Sequence, residues 1–494
     1  MLSKKFFLGV TQNVVASIIA KVATFGSTLV MARYLGPSHL GIYGVFMMST
    51  TAVLNFTLLG IPQAMQTHVS RDWDTEPERA SQMISSGFIL MAVTGLIGAL
   101  CLFGASNWIA VACFHNPELS IWLRMASIGI FFAGMSAHLS STIAGFQEFK
   151  RLAVVTVIVS IMTFFLTVVL CQRWLLWGAI VSFIANQVLM LGGCYVVAND
   201  ILKKRGLSWS IRNFTPNSAK ILSFGFPLGL AGLLTAPIWL LLQSIVYKRA
   251  GFQELGYIRA GQSIFGLITF LPGVISANFI SVLSATKGKG DHLEFSRIAL
   301  FDARFIWMTL LPIVVAFSIG IEPILVFVMG KSYQNASAIA AIIVWTALLV
   351  SFYAVISQVF QSTGRTWWLF FFAIFQPLVF ISIAYFLVPV MLGSGYVLAE
   401  LLSDVALIGI GVVLSRKMIL GSINQLRNLL VLTCVLALGA WLSHVYIQNQ
   451  VVLILLAGVI LIAVPIWLFE FHLSLAERKE IIRLIRSRFV RGQG

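Results

Sequence analysis

The chain has 494 residues, of which 59% are apolar and only 10% charged. Soluble domains carry about 25% charged residues; a chain so poor in charge cannot cover a surface facing water, and lipid is its solvent over most of its length. Its net charge of +16 would point to nucleic acid in a soluble protein, but the placement of those charges excludes nucleic acid as a partner.

Apolar runs lie near 7–32, 40–69, 82–103, 119–144, 152–171, 174–198, 221–247, 257–284, 298–320, 336–360, 366–388, 394–414, 428–446 and 450–469. A helix crossing the hydrocarbon layer takes about 20 residues, so the pattern predicts an all-α integral membrane protein of about fourteen transmembrane helices. The first run is longer than the apolar region of a signal peptide and no small-residue cleavage site follows it, so it reads as a permanent helix. The five cysteines are scattered in or beside apolar runs, with no metal-ligand spacing and no disulfide framework.

With the N-terminus placed inside, the cytoplasmic segments hold 25 of the 33 Lys and Arg residues and the outer segments six: Arg33, Arg173, Lys248, Arg249, Arg259 and Lys331. Positive charge gathers on the cytoplasmic side of membrane proteins, so both chain ends are expected there. The excess charge is an orientation signal, with some attraction to anionic lipid heads.

Residues 33–44 and 248–259 share a glycine–leucine–glycine pattern: Gly36, Leu40 and Gly41 fall on Gly251, Leu255 and Gly256 at an offset of 215. The same offset, without a gap, lays the loop Arg71–Arg79 on Thr286–Glu294 and His138 on Tyr353. Six spans per copy is an even number, so both copies have one orientation, as in transporters whose lobes are related by an axis along the membrane normal. The expected organisation is a six-helix lobe over 1–198, a cytoplasmic linker over 199–220, a second six-helix lobe over 221–415, helices 13 and 14 over 416–470, and a basic tail over 471–494. The tail alternates charge with aliphatics and reads either as an amphipathic helix on the inner leaflet or as a plain basic stop signal.

A charge inside a span costs about 2.5–3.5 kcal/mol on insertion scales and normally faces a cavity or a partner. In span one, Asn13, Ser17, Lys21, Thr24 and Thr28 share one helical face. In span four, Arg124, Ser127, His138 and Ser141 do the same, and in span twelve Glu400 and Asp404 stand one turn apart. These stripes either line a water-filled space, with cations on one lobe and carboxylates on the other, or hold helices together, Lys21 pairing with Glu400 or Asp404. His138 reads as an interhelical hydrogen-bonding group or as a proton-coupling one. No catalytic constellation, phosphate loop or metal cluster is visible, so neither an enzyme nor a cofactor is expected. The acidic pairs Asp72/Asp74 and Glu76/Glu78 read as a solvated charge run.

Ala32-Arg33-Tyr34-Leu35-Gly36-Pro37 through Leu40-Gly41-Ile42-Tyr43 resembles the first-loop signature of bacterial polysaccharide repeat-unit flippases. These belong to the multidrug/oligosaccharidyl-lipid/polysaccharide exporter superfamily. Similar matches follow in order at Gly145–Lys150, Leu255-Gly256-Tyr257, Met329–Tyr333 and Gln361–Arg365, so the resemblance spans about 1–420. Three places depart from the family pattern: Gln243 in span seven and Gln376-Pro377 in span eleven replace acidic and asparagine positions, and Gly393–Tyr396 lacks the small-residue run.

The resemblance implies a flippase moving polyprenyl-diphosphate-linked oligosaccharide between leaflets, with membrane lipids and glycan polymerase or assembly proteins as partners. A cationic cavity would take the diphosphate, Lys21 and Arg124 leading and Arg33 and Arg249 secondary, with Asn13, Ser17, Thr24 and His138 as polar lining. Glu400 and Asp404 would serve ion coupling. A lipid II flippase and an ion-coupled multidrug antiporter are the alternatives within the superfamily. A membrane-embedded glycan polymerase or ligase is the alternative outside it.

Overall fold

A computed structural model describes residues 4–73, 76–210, 212–270, 292–363 and 365–415, with short stretches around 283–286 and within 433–464. Residues 287–291 of the expected loop Thr286–Glu294, most of helices 13 and 14, and the basic tail over 471–494 lie outside the described residues. What is described is helical: α1 (Lys4–Leu58), α2 (Ile61–Asp72), α3 (Pro77–Trp108), α4 (Leu119–Gly145), α5 (Phe149–Lys204), α6 (Phe214–Ile268), α7 (His292–Met329), α8 (Ser337–Ser362) and α9 (Thr366–Ser415). No strand occurs among the described residues. Seven of the helices are long and apolar enough to cross a membrane. The chain is a multi-pass membrane protein.

Helices of 50 to 56 residues would reach far beyond a bilayer at 1.5 Å per residue, and the longest four are each broken near the middle. In α1 the break is Gly36 (φ 68°, ψ 175°) and in α6 it is Gly251 (φ 74°, ψ −170°). Both have the left-handed φ that glycine tolerates without a Cβ penalty. Pro37 then opens the second half of α1 with its φ already set. In α5 and α9 the break falls instead on leucines, Leu175 (φ 45°, ψ −119°) and Leu392 (φ 53°, ψ −128°). There the chain folds back on itself, because a Cβ on Gly178 would meet the Leu170 carbonyl and one on Gly395 the Leu387 carbonyl.

These breaks make the internal repeat physical. Gly36 and Gly251 keep the offset of 215, whereas Leu175/Leu392, Gly178/Gly395 and Leu170/Leu387 all stand 217 apart. The single offset read from the sequence therefore slips by two residues before the second break. At the first pair of breaks the two copies meet: a Cβ on Gly41 would fall on the Phe252 carbonyl oxygen, and one on Gly256 on the Pro37 carbonyl oxygen. Phe252 is itself the counterpart of Pro37, so the contact is reciprocal.

By contacts the chain divides into two compact units. One comprises Met1–Ser263, Val326–Ile339 and Thr366–Leu407, and the other Ile264–Leu325, Ala340–Arg365 and Ile408–Gly494. In the first, α2 to α5 bury Val69, Ile84, Leu139, Ile143, Phe146 and Cys194 in one cluster. The connection after α5 is strapped onto that cluster. Ser81 donates its hydroxyl to the Ser208 carbonyl, Ser210 N donates to Ser85 Oγ (2.8 Å), and Trp209 packs between Phe88 and Tyr195. The Arg205 guanidinium lies over Trp73 at 4.0 Å and Phe146 at 4.9 Å, a cation–π stack. In the second unit, Trp307 meets Phe352 edge-on at 5.0 Å and Trp345 donates to Ser318 Oγ (3.2 Å).

Candidate functional site

Hydroxyl side chains in a membrane helix satisfy themselves on their own backbone. Thr24 Oγ1 donates to the Ala20 carbonyl (2.8 Å), Ser27 to Ala23 (3.1 Å), Thr28 to Thr24 (3.2 Å) and Thr167 to Thr163 (2.7 Å). Their oxygens keep lone pairs to spare, and they converge. Thr24, Ser27 and Thr28 from the first half of α1, Tyr43 from its second half, Thr163 and Thr167 from α5, and Ser182, Asn186 and Gln187 from its second half surround a cavity of about 230 Å³. Thr163 Oγ1 donates to Asn186 Oδ1 at 3.0 Å across it.

One cation enters this cavity: Arg259, from the helix that follows the Gly251 break in α6. Gly44 packs alongside it, with the place of a Cβ there in ordinary contact with the Arg259 side chain at 3.6 Å. Its Nε is buried without a hydrogen-bond partner. A guanidinium always carries its charge and a planar fork of donors, so the cavity presents one fixed positive charge among neutral hydroxyls and amides. Sequence reading counted Arg259 only among the outer charges, because it stands two residues past the predicted start of span eight.

The residues singled out from the sequence are placed as follows. Lys21 is half-buried one turn from Thr24 but does not line the cavity. Thr24 does line it, Ser17 is half-buried one turn before Lys21, and the side chain of Asn13 lies outside the described set. Arg124 is exposed near the start of α4, its Nε 3.4 Å from Ser106 Oγ and its guanidinium 5.5 Å from the Phe103 ring. Arg33 donates to the carbonyls of Val328 (2.8 Å) and Phe327 (2.6 Å). A cation at a helix C-terminus satisfies its orphan carbonyls and its dipole, so Arg33 is committed to the end of α7. Arg249 is exposed two residues before the Gly251 break. His138 is fully buried, edge-on to Phe88 at 5.9 Å, and Gly87 leaves room for its ring.

A second polar place lies on α9. Asp404 is 6% exposed, and Gln376 Nε2 donates both to its Oδ1 (3.1 Å) and to Ser403 Oγ (3.2 Å). Ser403 in turn donates to the Glu400 carbonyl (2.7 Å). Tyr396, one turn before Glu400, has its hydroxyl buried without a partner. At the 217 offset, Phe183 and Gln187 of the cavity correspond to Glu400 and Asp404. The repeat thus carries neutral groups on α5 and acids on α9 at matching positions. No ion pair joins Lys21 to either carboxylate among the described residues. No cluster of three or more His, Cys, Asp or Glu suited to a metal occurs among them either.

The sequence profile of a family described as "polysaccharide biosynthesis protein" matches residues 30–338. No curated protein sequence matches the chain significantly. Among solved structures, a multidrug resistance MATE family transporter of the MOP superfamily, in its inward-facing conformation, superposes with a TM-score of 0.69 at 16% identity. The alignment covers 83% of this chain and 98% of that one. Lipid II flippase MurJ in an inward closed conformation gives 0.69 at 15% identity, covering 92% of this chain and 97% of that one. A MOP superfamily transporter from Pyrococcus furiosus gives 0.63 at 17% identity, covering 83% and 95%.

Proposed function

Because the chain belongs to the family of polysaccharide biosynthesis proteins and has the fold of the MOP superfamily transporters, we propose that it flips polyprenyl-diphosphate-linked oligosaccharide units across the membrane for surface polysaccharide assembly. The movement is from the cytoplasmic to the periplasmic leaflet of a bacterial inner membrane. Such a head group is large, polar and anionic, and hydrocarbon offers it no hydrogen bonds. The observation that carries this reading is Arg259: a fixed, half-buried cation whose Nε is buried and unpartnered, set in a cavity of hydroxyls and amides. It suits a phosphate oxygen beside sugar hydroxyls and gives a cationic drug nothing to pair with. Lys21, one turn away, supplies a second cation as the substrate passes. The two six-helix lobes alternate access around this site, and Glu400 and Asp404 bind the coupling ion.

The direct test is the side of the inner membrane on which lipid-linked oligosaccharide builds up when the gene is deleted. Accumulation on the cytoplasmic side, cured by the wild-type chain but not by Arg259→Gln at equal membrane abundance, is the expected result. Accumulation on the periplasmic side overturns the reading. A second reading, transport of lipid II, draws on the 92% and 97% coverage shared with MurJ; there the deletion would accumulate peptidoglycan precursor instead.

A further inference from the structure

The run 40–69 is not one helix. It breaks at Leu59 (φ 44°) and Gly60 (φ 65°), and α2 continues beyond with Pro62 in its first turn and no side-chain cap. Such a break leaves last-turn carbonyls of α1 and first-turn amides of α2 without helical partners. Inside a membrane those groups need a partner or water.

The faces on either side of the break are amphipathic in an unusual way. Ala64, Met65 and Val69 are fully buried, while Gln63, Gln66, Thr67 and Ser70 on the opposite face of α2 are exposed. Thr51 and Asn55 continue the exposed polar stripe on α1. None of the six is charged, and a stripe of amides and hydroxyls does not face lipid tails. It faces water.

At the break this stripe closes into a pocket of about 250 Å³, lined by Asn55, Leu58, Gly60 and Gln63, with Gly232 and Thr235 of α6 opposite. Gly232 sets how close α6 comes, since a Cβ there would lie 3.2 Å from the Asn55 carbonyl carbon. At about 30 Å³ per water the space equals roughly eight waters, the scale of one sugar ring rather than of a chain. Its walls hold donors and acceptors together and no charge. That gives a phosphate no charged side chain to pair with and matches hydroxyl groups, which donate and accept at once.

We infer that the pocket at the α1–α2 break is a carbohydrate subsite, taking one neutral sugar residue of the translocated head group on the side chains of Asn55 and Gln63. It rests on the flippase reading and adds to it the part of the site that senses sugar rather than diphosphate. Because Asn55 and Gln63 are exposed, their loss leaves the fold intact, and Thr235→Leu fills the same pocket from the other wall.

The test uses the purified full chain in lipid nanodiscs and two probes: undecaprenyl diphosphate, and the undecaprenyl-diphosphate-linked oligosaccharide extracted from cells lacking the gene. Wild type binds the sugar-bearing lipid more tightly. Two lost neutral hydrogen bonds predict about tenfold weaker binding of that lipid to the Asn55→Ala/Gln63→Ala variant, with the bare lipid changed by less than about twofold. Thr235→Leu gives the same split. Equal weakening of both lipids, or unchanged preference in both variants, overturns the subsite. Wild type binding the two lipids equally also overturns the subsite but leaves the flippase reading standing. Wild type binding neither overturns both.

Discussion

An ionised carboxylate inside a membrane is expensive unless it is protonated, paired or bound to a cation. Asp404 is buried and takes its hydrogen bond from the neutral Gln376, and no basic side chain reaches it or Glu400 among the described residues. Two acids one turn apart, one of them taking its hydrogen bond from a neutral amide, have the chemistry of the ion-coupling pair proposed above. Neutralising both, Glu400→Gln with Asp404→Asn, should leave the protein in the membrane and remove the dependence of transport on a proton or sodium gradient. Proteoliposomes with and without each gradient measure this, and an unchanged dependence would leave the acids as structural groups. Glu400 and Asp404 were legible in the sequence because charges in an apolar run stand out. Arg259 was not. It sits at a span boundary, where a cation is unremarkable, and its cavity is assembled from both halves of α1 and α5, which no spacing along one helix can join. The four cations that were singled out went elsewhere for local reasons: Arg33 to a helix end and Arg124 over the Phe103 ring, with Arg249 exposed and Lys21 outside the cavity lining.

At the scale of elements, the breaks decide how four long helices become pairs of crossings. Gly41 and Gly256 let each copy of the repeat rest on the other's carbonyl, where a Cβ has no room. Gly41→Val should therefore force the two backbones apart and destabilise the chain by about 1–3 kcal/mol, the usual cost of overpacking. Gly104, on α3 with open space around it, is the control: Gly104→Ala should cost nothing, since alanine is the better helix former by about 1 kcal/mol. Thermal unfolding in detergent reads both, and a Gly41→Val midpoint equal to wild type would mean the contact is not tight. The first pair of breaks was legible because a left-handed φ leaves glycine as its letter in both copies. The second pair was legible only as gaps between apolar runs, at 171/174 and 388/394, and not from the residue type at the break. Leu175 and Leu392 hold positive φ without glycine, a strained state that surrounding packing must impose, so the two-residue slip left no trace in the alphabet.

For the whole molecule, the charge asymmetry and the helix breaks make one joint statement. Between Ser38, just past the Gly36 break, and Arg212, in the connection before α6, the chain runs through the second half of α1 with α2, then α3, α4 and the two halves of α5. Read as five crossings, an odd number, this predicts that the two exposed positions stand on opposite sides of the membrane. The sign comes from the basic residues. The end of α5, the connection after it and the start of α6 carry Lys203, Lys204, Arg205, Arg212 and Lys220 within 199–220, and a translocating chain holds such clusters back on the cytoplasmic side. Ion pairs among Glu148, Arg151, Asp200 and Lys204 are partly exposed and add little stability, so orientation is the larger consequence of this charge. In a chain whose five cysteines are replaced, Ser38→Cys should react with a membrane-impermeant maleimide on intact spheroplasts. Arg212→Cys should react only after lysis. Labelling of both from outside would break the count of five crossings, and the reverse pattern would invert the orientation and, with it, the direction proposed for the head group.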